Sequence, residues 1–289
     1  MHVTYDSSGH PVLQTATLPF ETASPRSEGR LEMHFKHRNG VTVLDNLFQS
    51  GCLRAHLLRT EPGHSSEAVL LNTAGGLTGG DRLSMAISWG PLTHATVTTQ
   101  ACEKLYRAAA GEARIDTTLN VHAGARAEWL PQETILFDRA ALRRDLQVRI
   151  APGSVFTGLE ATVLGRTAMG EVVSNARFTD QWRIWRGAQL IYADAFALGG
   201  DIPALIAKMP VTQDRLAFAS LLHVSSEAEG ALKAVRGELP TLDCITAASA
   251  WNGLLAIRFI ANEGRHLRAA IVRVLNVLRE SPLPRVWQI

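Results

Sequence analysis

The stretch from Leu83 to Trp89 restricts the fold more than any other in the chain, because Leu83, Met85, Ile87 and Trp89 alternate strictly with Ser84, Ala86 and Ser88. A two-residue period sends successive side chains to opposite faces, so this is a strand with one apolar face. The same rhythm recurs along the chain. Leu31, Met33 and Phe35 lead to Asn39-Gly40, after which Val41 and Val43 resume it. Asn-Gly between alternating runs is a hairpin signal, since both turn residues tolerate positive φ. Strand patterns follow at Leu53 to Arg59, Ala68 to Leu71, Val97 with Thr99, and Ile115, Thr117, Leu119 and Val121. Leu146, Val148 and Ile150 run into a Pro152-Gly153 turn, and Trp182 to Arg186 with Gln189 to Tyr192 flank Gly187. Helical periodicity comes late, over Glu227 to Glu238 and Glu263 to Glu280, with a strand over Leu254 to Ile260 between. Many short strands broken by Gly and Pro stack as sheets rather than bundle as helices.

The expectation is a mainly β domain over residues 29–289, with a few α-helices toward the C-terminus. Residues 1–28, rich in Ser, Thr and Pro and without periodicity, read as a mobile tail. No repeat of fixed length is legible.

Composition narrows the function classes. The chain is 46% hydrophobic and 19% charged, a charge content under the usual quarter or so. Both a sheet-rich core and apolar surface for partners fit that shortfall. A formal charge of +2 gives no strong field for nucleic acid or a membrane. Cys52, Cys102 and Cys244 are far apart and form no C-x-x-C pair, so neither a disulfide framework nor a zinc ribbon is indicated. No basic leader or bilayer-length apolar run is visible, which leads to the expectation of a cytoplasmic protein.

One loop stands apart. Asn72-Thr73-Ala74-Gly75-Gly76-Leu77-Thr78-Gly79-Gly80-Asp81 carries two glycine pairs and one carboxylate. Gly75 and Gly80 have the spacing of P-loop glycines, but Asp81 and Arg82 stand where Lys and Ser or Thr are needed, so phosphate binding is disfavoured. A glycine-rich turn whose backbone N–H groups are held by Asp81 remains open. No G-x-S-x-G elbow exists, and the ten histidines are scattered. The other carboxylates of interest are Glu133, set inside the apolar stretch Trp129 to Phe137, with Glu160 and Glu171. A carboxylate in apolar surroundings needs a cation or donor. Ion pairs to arginines such as Arg82, Arg107 or Arg166 are one reading. At the C-terminus, Arg285 and Trp287 either cover the core with the last helix or meet a partner, since Arg and Trp are frequent interface anchors.

The glycine-rich segment resembles that of the urease accessory protein D family, called H in some bacteria. So do, in the same order, Thr98-Thr99-Gln100-Ala101-Cys102-Glu103-Lys104-Leu105-Tyr106-Arg107, Trp129-Leu130-Pro131-Gln132-Glu133-Thr134-Ile135-Leu136-Phe137, Gly165-Arg166-Thr167-Ala168-Met169-Gly170-Glu171 and Leu283-Pro284-Arg285-Val286-Trp287. Ala74 and the Cys102-Glu103 pair depart from the family's usual residues. The resemblance implies a β-helix-like fold of stacked, coiled strands. It also implies a maturation factor, not an enzyme, that helps install the nickel centre of urease. The implied partners are urease apoprotein, a helical accessory protein (F) and a nickel-binding GTPase (G). No tightly bound cofactor is implied, only transient nickel on an internal polar route. Asp81, Glu133, Glu160 and Glu171 are the candidate oxygen ligands of that route, Cys102 an extra soft one, and Arg285 and Trp287 the partner-facing residues. Isolated carboxylates suit a conduit, because imidazole and thiolate clusters would hold nickel too tightly. The rival reading is a hydrolase or small-ligand-binding enzyme built on Gly75, Gly76, Gly79 and Gly80 with Asp81, Glu133 and a histidine.

Overall fold

A computed structural model describes residues 4–5, 11–12, 26–58, 65–166, 169–208 and 211–288. Most of the expected tail therefore lies outside the described residues, as do Arg59, Thr167 and Ala168. Within the tail, β1 (Thr4–Tyr5) and β2 (Pro11–Val12) pair antiparallel. β3 (Glu28–Arg38) and β4 (Val41–Gly51) form the expected hairpin, with Asn39 at φ 52° and Gly40 at φ 81°.

From there the chain winds between two facing sheets. β5 (Leu53–Leu57) and β6 (Ser66–Asn72) lie in one, and β7 (Arg82–Trp89) in the other. β8 (His94–Thr99) with the short β9 (Glu103–Leu105) returns to the sheet of β5 and β6, the second sheet, and β10 (Ala113–Val121) crosses again to that of β7, the first. β11 (Arg126–Leu130) with β12 (Thr134–Leu136), then β13 (Ala141–Ile150), β14 (Val155–Leu164) and β15 (Asn175–Arg186) continue the alternation. Each strand sits parallel on the strand one coil earlier, so Arg82 neighbours Arg114, which neighbours Arg143, which neighbours Thr179. These steps differ in length, which is why no fixed repeat shows in the sequence. The fold is β-helix-like, as expected.

The coil then stops winding. β16 (Gln189–Asp201) turns back on β15 through Gly187-Ala188 and becomes an edge strand. A short helix that the periodicity did not indicate, α1 (Ile202–Ile206), leads to β17 (Ala217–Val224). α2 (Ala228–Glu238), β18 (Ile245–Trp251), β19 (Leu254–Ala261) and α3 (Gly264–Leu278) complete the chain. β17, β19 and β18 extend the second sheet antiparallel from β14.

Two cores result. Leu31, Met33, Ile87, Trp89, Phe156, Phe178 and Trp182 pack between the sheets. Leu159, Leu221, Leu255, Ile257 and Phe259 pack outward under Leu267, Ile271, Val274 and Leu275 of α3. Over β14 and β17 the second sheet is thus buried on both faces, whereas β7, β10 and β15 of the first are buried on one. Among the described residues no helix is long and apolar enough to cross a membrane.

Candidate functional site

The glycine loop joins β6 to β7 and is stitched to the next coil. Leu77 donates to the Lys104 carbonyl and accepts from Tyr106 N–H, while Thr78 Oγ1 donates to the Arg107 carbonyl. Two glycines are required by this close approach. A Cβ on Gly76 would lie 2.7 Å from the Lys104 carbonyl oxygen at φ +141°, and one on Gly79 only 2.2 Å from that of Ala110. Gly75 and Gly80 also take positive φ. Asp81 is 3% exposed; its Oδ1 accepts from Ser27 N–H at 2.8 Å and its Oδ2 from Thr78 N–H at 2.7 Å. Locally, then, Asp81 fastens the loop.

Behind the loop a cavity of about 200 Å³ opens between the sheets, with Gly75, Gly76, Asn72, Cys102 and Glu103 toward its rim and Thr134, Arg144 and Glu160 within its lining. Asn72 Nδ2 reaches both Glu103 oxygens at 3.1 Å. Burial nonetheless pushes the Glu103 carboxyl up to about 7. Cys102 Sγ donates to Glu133 Oε2 at 3.3 Å. Burial, then the Glu133 charge, push this thiol up to about 11, the opposite of an activated nucleophile.

The innermost wall of the cavity is ionic. Arg144 Nη1 lies 2.6 Å from Glu160 Oε2, and its Nε and Nη2 bond Asp180 at 3.0 and 2.8 Å. Trp129 Nε1 donates to Glu160 at 3.0 Å, and Arg144 Nη1 also donates to Thr134 Oγ1 at 3.1 Å. Burial pushes the Glu160 carboxyl up to about 7 against the opposing pull of Arg144. Burial alone would lower the Arg144 guanidinium, but Asp180 and Glu160 hold it above its ordinary range.

Register turns this triad into a row. Arg144 is paired with Asp180 across β13 and β15. Facing them, Glu160 is paired with Ser220, and Ser220 with Arg258, across β14, β17 and β19. A polar line thus crosses an otherwise apolar sandwich. Glue between sheets is normally apolar, because buried charge is costly to desolvate. Glu160 also lines a second cavity of about 280 Å³, whose lining includes Asp180, Asp194 and Arg258.

The four candidate carboxylates are not brought together. Only Glu160 lines the cavities. Glu133, 3% exposed, faces α3, where Arg268 holds its Oε2 and leaves Oε1 without a hydrogen-bond partner. Glu171 pairs with Arg166 at 2.9 Å and accepts from Asp138 N–H at 3.2 Å on the outside of the coil. Of the arginines suggested as ion-pair partners, Arg166 is used; Arg268 and Arg144 serve Glu133 and Glu160. Trp287, expected either to cover the core or to meet a partner, is turned inward in this chain. It is 4% exposed, and its Nε1 donates to Thr98 Oγ1 at 3.1 Å and the Leu130 carbonyl at 3.2 Å, so it covers the core. Arg285 beside it is exposed.

The rival enzymatic constellation is not assembled. Neither Asp81, Glu133 nor any histidine is among the residues lining the cavity behind the glycine loop. Among the described residues no three His, Cys, Asp or Glu side chains converge to hold a metal ion. Arg144, Asp180, Asp194 and Arg258 were not singled out from the sequence, and Glu103 only as a departure from the family's usual residues. A signal for two existed: Arg144 and Asp180 occupy the inward phase of their strands, between Leu142 and Leu146 and between Phe178 and Trp182.

Residues 27–288 match the family model described as UreD urease accessory protein. A urease accessory protein UreD of Rhizobium johnstonii is 45% identical over 270 residues, spanning 93% of this chain and 97% of that protein. One from Xanthobacter autotrophicus is 44% identical over 262 residues, 91% of this chain and 90% of its own length. One from a Methylobacterium species is 42% identical over 269 residues, 91% and 95% of the two chains.

Proposed function

The chain belongs to the UreD urease accessory protein family, and from that premise we propose that it serves urease maturation in the cytoplasm as a non-catalytic scaffold with a cation route through its interior. The supporting observation is the polar row Glu160–Ser220–Arg258 facing Arg144–Asp180, with a cavity on either side of Glu160. Nickel is cargo here, not a resident cofactor. Separate oxygen ligands and water bind such an ion weakly enough to release it, whereas imidazole and thiolate clusters would retain it.

In this reading the ion enters beside the glycine loop, where Asn72 and Glu103 stand, and moves toward Glu160. Asp81, Glu133 and Glu171 act mainly by holding the walls, through backbone N–H groups, Arg268 and Arg166. Cys102 presents a protonated thiol to the first cavity, and an incoming soft cation would have to displace that proton. Arg285 offers the exposed contact at the C-terminus. The scaffold's partners are urease apoprotein, the helical accessory protein and the nickel-carrying GTPase.

The test is co-expression of the urease subunits and the other accessory proteins with this chain, with Glu160→Gln, or with neither. Glu160→Gln preserves volume and an acceptor for Trp129. The expected result is assembled complex with nickel-poor urease. Normal nickel loading by Glu160→Gln defeats the route, and active urease without the chain defeats the maturation role.

A further inference from the structure

The second cavity contains two buried hydroxyls that the fold leaves unsatisfied. Thr162 and Thr212 are each 1% exposed and line it, and neither Oγ1 has a hydrogen-bond partner. An unpaired buried polar group carries a desolvation penalty that a native fold seldom leaves unmet. Water removes that penalty where a cavity is polar and roomy. A single water needs roughly 10–15 Å³ of such space, far less than the volume present, so the chamber has room for the waters these hydroxyls call for.

One ionic strap closes the chamber's outer side. Arg258 on β19 belongs to the second sheet, and its Nη2 donates to Asp194 Oδ2 and, at 2.8 Å, to Tyr192 OH on β16, the edge strand of the first sheet. Its Nη1 donates to Ser220 Oγ. The Arg258 and Asp194 side chains are 43% and 25% exposed, whereas Glu160, Thr162, Asp180 and Thr212 behind them are buried. The strap therefore stands between these buried groups and solvent. A pair this exposed to screening by solvent adds little stability, too little for a staple and suited to opening.

We propose that the Arg258–Asp194 strap is the gate of a hydrated second mouth, admitting or releasing a small cation between solvent and Glu160. The charges make the opening selective. Closed, the chamber sets Glu160, Asp180 and Asp194 against Arg144 and Arg258. When Arg258 swings out, three carboxylates face Arg144 alone, which favours a hydrated divalent cation and repels anions. The proposal rests on the cation-route reading and names how one end of that route is controlled.

The test uses the full chain carrying Thr212→Cys, labelled with cationic 2-aminoethyl methanethiosulfonate or its anionic sulfonatoethyl counterpart. Peptide mass spectrometry at position 212 separates the signal from Cys52, Cys102 and Cys244. With the strap intact, labelling is slow. In Arg258→Ala, cationic labelling rises at least tenfold while anionic labelling stays slow. Thr162→Cys repeats the measurement if Thr212→Cys does not fold, and circular dichroism checks each variant. Equal cationic rates with and without Arg258, or anionic labelling as fast as cationic, overturn the gate. Co-expression with urease separates the two ideas. Accelerated labelling with nickel loading unchanged in both Arg258→Ala and Glu160→Gln means an opening that carries no cargo, which refutes the route and the gate's role in it. Unchanged labelling with impaired loading in Glu160→Gln refutes the gate alone.

Discussion

Arg144→Met removes the one cation shared by Glu160 and Asp180 and leaves the rest of the sandwich in place. Each carboxylate loses its ion pair in a site where Arg144 is 3% exposed. Breaking a buried pair by removing one partner costs about 3–5 kcal/mol, a large share of the roughly 5–15 kcal/mol by which a native domain is stable. At a slope of about 3 kcal/mol per molar urea, the midpoint falls by about 1–1.7 M. Trp129 and Trp182 both donate to the triad's carboxylates, so tryptophan fluorescence reports its environment directly. The penalty depends on pH. Burial already raises the Glu160 carboxyl above the 4.5 of an unfolded glutamate, and without the opposing pull of Arg144 it rises further. A group whose folded pKa is raised contributes stability below the unfolded value and loses it as pH rises through the folded one. The gap between wild type and Arg144→Met therefore widens from pH 5 to pH 8. A loss under about 1 kcal/mol at pH 8, the worth of a surface pair, or a gap that does not shrink at pH 5, would refute the reasoning. Replacing all three groups by apolar residues of similar volume should restore stability while nickel loading of urease remains lost.

Asp81→Ala strips the acceptor from Ser27 and Thr78 N–H, at about 1–3 kcal/mol for each donor left unpaired; limited proteolysis should then cut at the glycine loop before the rest of the chain. Glu103 and His223 bound the pH range from opposite sides. Burial pushes Glu103 up to about 7 from 4.5, so its contribution is present below 4.5 and lost as pH rises through about 7. Burial pushes His223 down to about 4 from 6.5, so its contribution is present above 6.5 and lost as pH falls through about 4. Thermal melts across pH should flatten on the alkaline side in Glu103→Gln and on the acid side in His223→Asn; unchanged profiles would count against both assignments.

The sequence by itself determined the half-exposed part of the architecture. β7, β10 and β15 face the core on one side and solvent on the other, so their residues alternate and the two-residue period is legible. α3, whose apolar stripe faces one layer, was legible for the same reason, and the Asn39-Gly40 turn because both residues tolerate the positive φ they adopt. β14 and β17 lie between the first sheet and the helices, so nearly every position is buried and no alternation marks them as strands. Only the tertiary structure decided the site. Glu133 is taken by Arg268 from 135 residues away, and Glu160 meets Arg144 because two strands from different sheets face each other. Which guanidinium neutralises which buried carboxylate is set by how the coils stack and where α3 docks, and a local pattern of side chains holds no record of either.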